Sequence, residues 1–127
     1  MVIYNHMVVD LLTGQRADQV FHALADATRR DILAQALVAE HSVSALARRY
    51  PMSITAVQKH VAVLEAAELI TKERRGREQL VRSNVETIRR AGLLLDQLEE
   101  IWRARIAQIG DILADDPQEG TRDADHR

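Results

Sequence analysis

The stretch at residues 53–67, SITAVQKHVAVLEAA, constrains the fold of this chain more than any other segment. Its apolar residues recur at spacings of three, four and three, which places them on one side of an α-helix. They are Ile54, Val57, Val61 and Leu64. The other side carries small hydrogen-bonding and cationic groups, which are Ser53, Thr55, Gln58, Lys59 and, at its edge, His60. Such a helix suits a DNA major groove, although an ordinary amphipathic helix of a small bundle shows the same pattern.

Three more helices are predicted before this stretch. The nearest is short, with Ser42 as its N-cap, and Pro51 ends it. Two helices joined by a turn of three or four residues, the second presenting polar donors, form the helix-turn-helix pattern. Further upstream the sequence predicts helices at residues 16–25 and 27–39, with Asp26 capping the second.

After residue 68 the apolar period changes from helical to alternating. Residues 69–74 and 77–82 are predicted to be two short strands, and Gly76 supplies the positive φ of the turn between them. Three arginines lie at the tip of this hairpin: Arg74, Arg75 and Arg77. A charged tip also protects a strand edge from aggregation. Directly after a helix-turn-helix, however, three arginines around one glycine favour contact with phosphate or the minor groove.

The longest predicted helix, residues 85–114, has more apolar surface than one small domain covers. At about 1.5 Å per residue it is roughly 45 Å long. Apolar residues follow a heptad along it, so one face is expected to bind a partner, most simply a second copy of the chain. The residues assigned to this dimer interface are Leu95, Leu98, Trp102, Ile109 and Ile112. Trp102 is interpreted as a packing anchor in preference to a ligand-binding aromatic.

The segments organise into four regions. Residues 1–15 are predicted to be an N-terminal arm, residues 16–84 a DNA-binding domain, residues 85–114 a dimerisation helix, and residues 115–127 a disordered acidic tail. Met1 and Met7 are both possible starts. The N-terminus lacks the basic region of a signal peptide, and no apolar run is long enough for a membrane helix. A cytoplasmic location is expected.

Charge is distributed unevenly along the chain, although the net charge is only −2. Residues 42–82 hold eight Lys/Arg and four Glu, a net charge of +4, whereas the remainder holds nine Lys/Arg and fifteen Asp/Glu, a net charge of −6. The local distribution matters more than the total for a nucleic-acid partner. The basic segment is therefore expected to face double-stranded DNA, and the acidic remainder to lie away from it.

No cofactor, metal site or catalytic site is predicted. The chain has no Cys, and no two of its five His are spaced i, i+4 as on one face of a helix. A chance distribution therefore explains His6, His22 and His41 better than a zinc site does. His60 has two alternatives to DNA contact, as a partly buried helix partner or a pH-sensitive group. No nucleophile–base pair and no glycine-rich phosphate loop is found, so the chain is not expected to be an enzyme.

Four segments together carry a family resemblance. They are ALADATRRDIL (23–33), VSALA (43–47), MSITAVQKHVAVLEAAELI (52–70) and RGR (75–77). Together they resemble the ArsR family of winged helix-turn-helix repressors of bacteria and archaea. The long last helix with its tryptophan resembles the branch of that family without metal sites. One departure is Glu68, which stands where the family usually has the glycine that ends the recognition helix.

The resemblance implies a homodimer joined by the first and last helices, a recognition helix in the major groove, and a wing around Gly76. It places Ser53, Thr55, Gln58, Lys59 and His60 at the DNA-reading positions. Phosphate contacts are expected from Arg48, Arg49 and Lys72.

The resulting prediction is a mainly α fold with a small β-hairpin, a winged helix-turn-helix that acts as a dimeric repressor on an inverted-repeat operator. One alternative is a winged-helix protein-interaction module without DNA binding. Another is a repressor whose effector, a protein or a small molecule, lies between the first and last helices.

Overall fold

The computed structural model of the chain describes residues 14–114, which form five α-helices and one three-stranded antiparallel sheet. In chain order the elements are α1 (Gln15–Leu24), α2 (Ala27–Val38), β1 (His41–Ser42), α3 (Val43–Ala47), α4 (Ile54–Ala66), β2 (Ile70–Arg75), β3 (Glu78–Ser83) and α5 (Val85–Ala114). The predicted mainly α fold is confirmed. Most of the predicted arm and all of the predicted acidic tail, residues 1–13 and 115–127, lie outside the described residues.

Side-chain caps begin three of the helices, each as the sequence predicts. Asp26 accepts a hydrogen bond from the backbone N–H of Arg29 at 3.0 Å and begins α2. Ser42 begins α3 and Ser53 begins α4, each accepting a backbone N–H three residues ahead, at 3.0 and 3.1 Å respectively. Such caps satisfy donors that the first helical turn leaves unpaired.

The core of the first unit of the chain, which ends at Gly92, draws on α1, α2, α3, α4, β2 and β3. Its most deeply buried large side chains are Ile32, Leu46, Val57, Val61, Leu64, Leu69, Ile70 and Val81. Both helices of the helix-turn-helix contribute to it, and this burial fixes which side of each helix faces the core. The second unit begins at Leu93 and contains the remainder of α5.

Three buried residues of α4 confirm the predicted apolar face, since Val57, Val61 and Leu64 are at most 1% exposed. Ile54 was expected beside them but is 47% exposed. Side chains lean toward the N-terminus of their helix, so a residue at the first position projects past the first turn. Ile54 is the first residue of α4 and therefore extends beyond the buried face.

The sheet has the strand order β1-β3-β2, one strand more than the predicted hairpin. Strands β2 and β3 confirm the hairpin, each one residue later than expected, and Gly76 has the positive φ (63°) that its turn requires. Strand β1 is absent from the sequence-based prediction, which has Ser42 only as the N-cap of the third helix. With only two residues, His41 and Ser42, it is too short to show an alternating pattern, and it forms only because β3 lies beside it.

The connection from α4 to the wing runs through Glu68, which has a left-handed backbone (φ 62°). The N–H of Leu69 donates to Leu64 O at 3.0 Å, and the N–H of Glu68 donates to Glu65 O at 2.9 Å. These two bonds form a Schellman motif, in which glycine usually takes the left-handed position. Glu68 therefore closes the helix as a glycine would, with backbone strain that a glycine would not have.

Candidate nucleic-acid interface

The polar face of α4, formed by Ser53, Thr55, Gln58 and Lys59, is exposed along its whole length. It lies opposite Val57, Val61 and Leu64, which anchor the helix in the core. The preceding turn is tied to α2, because the Tyr50 hydroxyl donates to Asp31 Oδ2 at 2.6 Å. Burial, followed by this hydrogen bond, raises the pKa of Tyr50, so the hydroxyl keeps its proton.

His60, at the edge of this face, is half-buried and lies against Arg29 of α2. Arg29 Nη1 is 3.3 Å from His60 Nδ1. The same guanidinium donates to the carbonyl oxygens of Ala23 at 2.8 Å and His22 at 3.1 Å, so it also caps the end of α1. No local sequence pattern marks Arg29 as important, although its side chain links α1, α2 and α4. The predicted contact of His60 with DNA stays a prediction, and the geometry favours the alternative role as a helix partner.

The carboxylate that caps α2 lies within this linkage. The backbone N–H of Arg29, assisted by the positive charge of the Arg29 side chain, holds the pKa of Asp26 below its usual value. A carboxylate at a helix N-terminus is favoured by the helix dipole as well. Asp26 thus stays ionised at neutral pH and keeps the start of α2 in place beneath α4.

The wing has two faces, because directly opposed residues of an antiparallel pair lie on the same side of the sheet. On the inner face, Ile70 and Val81 are buried, and Lys72 and Arg74 continue the same row along β2. On the outer face, Glu73 and Arg75 of β2 lie in the row that also carries Arg82 of β3. The predicted tip arginines therefore divide between the faces: Arg74 lies on the inner face and Arg75 on the outer face.

Four charged residues join in an ion-pair cluster on the outer face of the wing: Glu40, Glu73, Arg75 and Arg82. Arg82 donates from Nε to Glu40 Oε2 and lies 2.9 Å from Glu73 Oε1. Arg75 lies 3.6 Å from Glu73 and 3.9 Å from Glu40. The cluster contains two acids and two bases, so it has no net charge.

The other predicted phosphate contacts differ in whether an internal partner holds them. Lys72 is paired with Glu65 at 3.3 Å, with only 25% of its side chain exposed. Five other basic side chains form no ion pair with any residue between 14 and 114. They are Arg48, Arg49, Lys59, Arg74 and Arg77. These five are free to bind phosphate without first breaking an ion pair.

The apolar residues assigned to dimerisation are exposed in the single chain. The side chains of Leu95, Leu98, Trp102, Ile109 and Ile112 are between 43% and 64% exposed. An apolar row of this length on one helix is unusual for a surface that meets only water.

The described part of the chain holds no group of three or more His, Cys, Asp or Glu side chains placed to bind a metal ion. None of the helices between residues 14 and 114 is both long and apolar enough to cross a membrane.

Comparison with known proteins identifies relatives of one kind, although no protein-family model matches the chain. The chain is 37% identical over 79 residues to the uncharacterized HTH-type transcriptional regulator YuzN of Bacillus subtilis (strain 168), covering 57% of this chain and 86% of the relative. It is 34% identical to the solved structure of an ArsR-like transcriptional regulator from Rhodococcus sp. RHA1, with a TM-score of 0.69, covering 76% of this chain and 92% of that one.

A third relative is a homodimeric winged helix-turn-helix DNA-binding domain from Mycobacterium bovis, described as a possible ArsR-family transcriptional regulator. It is 26% identical, with a TM-score of 0.56, covering 67% of this chain and 80% of that one. These relatives are transcriptional regulators, a class without enzymatic activity, as the sequence predicts. The chain belongs to the ArsR family of winged helix-turn-helix transcriptional regulators.

Proposed function

We propose that the chain is a homodimeric, sequence-specific repressor that binds an inverted-repeat operator. The observation that carries the proposal is the contrast between the two sides of α4. Three side chains fix one side in the core, and Gln58 and Lys59 project from the other without a partner among residues 14–114. Glutamine recognises adenine and lysine recognises guanine in the major groove by hydrogen bonds to base edges. Ser53 and Thr55 assist at the helix N-terminus, where the dipole favours phosphate.

The unpaired basic residues flank this helix on two sides. Arg48 and Arg49 precede it in the turn, and Arg74 and Arg77 follow it in the wing. Because they carry charge without reading bases, they would fix the register of the protein on the backbone. Lys72 is a weaker candidate, because Glu65 already neutralises it.

Dimerisation supplies the second half-site. The exposed apolar row of α5 supports it, and the relative from Mycobacterium bovis is described as homodimeric. A closed two-fold dimer presents two identical recognition helices, so its operator repeats in inverted orientation.

Selection of bound DNA from a random pool tests this function. The expected consensus is an inverted repeat whose half-site centres lie about one or two helical turns apart. An enriched site without internal symmetry would contradict the dimeric arrangement, and no enrichment would contradict sequence-specific binding itself.

A protein-interaction module without DNA binding is the second candidate. Two observations favour it: the ion-pair cluster of the wing has no net charge, and the chain as a whole has a net charge of −2. Binding to the DNA upstream of the chain's own coding sequence at physiological salt separates the two. A repressor gives salt-sensitive binding that resists nonspecific competitor, whereas an interaction module gives none.

A further inference from the structure

The strand register indicates that Arg75 turns away from the tip of the wing. Arg75 lies opposite Glu78, at the tip end of the hairpin. Glu40 immediately precedes His41, which is paired with Val81, so Glu40 lies beside the Arg82 row at the base of the hairpin. To reach within 3.9 Å of Glu40, the Arg75 side chain has to fold back along the strand toward that base. In this position it is withdrawn from a phosphate beyond the tip.

The two arginines of the ion-pair cluster are held unequally. Arg82 is close to both acids, whereas the Arg75 contacts of 3.6 and 3.9 Å are at the long end for ion pairs, and 57% of the Arg75 side chain is exposed. Exposed pairs of this kind are weak. A DNA phosphate can therefore draw Arg75 out of the cluster, but only by competing with Glu40 and Glu73.

We propose that Glu40 and Glu73 limit the DNA affinity of the wing by holding Arg75 in an internal ion-pair cluster that a phosphate has to displace. This inference rests on the proposed DNA-binding function. Glu40 and Glu73 act through Arg75 without touching DNA, so they are positioning residues. Removing either acid leaves one carboxylate fewer to compete with a phosphate for Arg75, so Arg75 engages DNA more fully, which tightens binding and steepens its dependence on salt.

Glu78 provides the matched control. It is an exposed glutamate of the same outer row, directly opposite Arg75, and it forms no ion pair among residues 14–114. Glu78→Gln removes the same charge from the same wing and leaves the cluster intact. Any effect it shares with Glu40→Gln reports the long-range field of one negative charge and not the release of Arg75.

The test measures the affinity of the full chain for its selected operator over a range of salt concentrations. Glu40→Gln and Glu73→Gln are expected to tighten binding by about two- to fivefold, and to steepen the slope of log K against log salt by up to about one unit. Glu78→Gln should change the affinity for the same operator by less than twofold relative to the wild type. In an Arg75→Ala background, the gain from Glu40→Gln should fall to less than half.

Three outcomes overturn the inference. One is an equal gain from Glu40→Gln and Glu78→Gln. Another is an undiminished gain in the Arg75→Ala background. A third is a lack of DNA binding by the wild-type chain and all variants, which would contradict the proposed function as well. Thermal unfolding of each variant identifies a gain that comes from altered folding, because releasing Arg75 steepens the salt slope and leaves the unfolding temperature nearly unchanged.

Discussion

The polar face of α4 and the wing both present basic side chains, but they differ in what those side chains already contact. Gln58 and Lys59 project from a helix whose opposite side is buried, and no internal acid pairs with Lys59 among the described residues. The wing has three arginines near its tip, and the ion-pair cluster holds one of them, Arg75. Counting positive charges along a sequence therefore overstates what the wing offers to DNA.

The two regions also differ in how they are held in place. Core packing and the Arg29 guanidinium, 3.3 Å from His60, fix α4. Beyond Ile70 and Val81, the wing is stiffened by backbone pairing and by exposed ion pairs, which are individually weak. We therefore expect substitutions on α4 to alter which sequence is bound, and substitutions in the wing to alter affinity for every sequence.

Replacing Gln58 by Ala should have the largest effect and should be selective. Loss of a bidentate side-chain contact costs roughly 1–3 kcal/mol at the base pair concerned, which is about a 5- to 150-fold loss of affinity. The measurement is a set of gel shifts on the selected operator and on variants of each of its base pairs. An equal loss on all sequences would mean that Gln58 contacts the backbone, and would remove the distinction drawn between α4 and the wing.

Replacing Arg77 by Ala should weaken binding to all sequences by a smaller factor, about three- to tenfold at 0.1 M salt, and flatten the salt slope by about one unit. Arg74→Ala is expected to behave in the same way. Arg75→Ala is the matched comparison, and we expect less than about a twofold loss because the ion-pair cluster already engages that side chain. Equal losses for Arg75 and Arg77 would show that the cluster does not withhold Arg75 from DNA.

Local signals were enough to predict most of the fold. Helix caps and the glycine turn depend only on residues close together in the sequence, and the caps formed by Asp26, Ser42 and Ser53 are examples. Helix α5 begins and ends where the sequence predicts. The candidate residues on α4 followed from the same periodicity, and their contact with DNA stays a prediction.

Contacts between distant segments could not be predicted from such signals. Glu40 and Arg82 are separated by 42 residues, and Arg29 and His60 by 31. Strand β1 depends in the same way on β3. An alternating Glu73-Arg74-Arg75 pattern places Glu73 and Arg75 on one face of a strand, so the sequence contained a partial signal for the cluster. It contained none for Glu40, whose place beside Arg82 exists only in the folded sheet.

The junction between α4 and the wing offers a test of stability apart from DNA. Glu68 is strained at φ 62°, so Glu68→Gly should relieve that strain and raise the free energy of unfolding by about 0.5–1 kcal/mol, after allowing for the greater freedom of glycine in the unfolded chain. The surface pair with Arg16, at 3.3 Å, contributes little. The midpoint temperature of thermal unfolding should rise by roughly 2–6 °C. Glu68→Ala removes the same ion pair and keeps the left-handed backbone, so a rise for both variants would contradict the strain explanation.

The smallest expected effect is a loss of stability in acid at the start of α2, whose Arg29 contacts α4. The pKa of Asp26 is lowered by folding, so its contribution to stability is fully present above the unfolded value, about 3.9, and is lost as the pH falls through the lower folded value. Asp26→Asn keeps an acceptor for the Arg29 N–H but does not titrate, so it should lose less stability than the wild type as the pH falls from neutral through about 3.9 and below. Chemical denaturation across this range measures the difference. A parallel loss in both proteins would mean that ionisation of the Asp26 carboxylate does not contribute to the stability of α2 or, through Arg29, to the anchoring of α4.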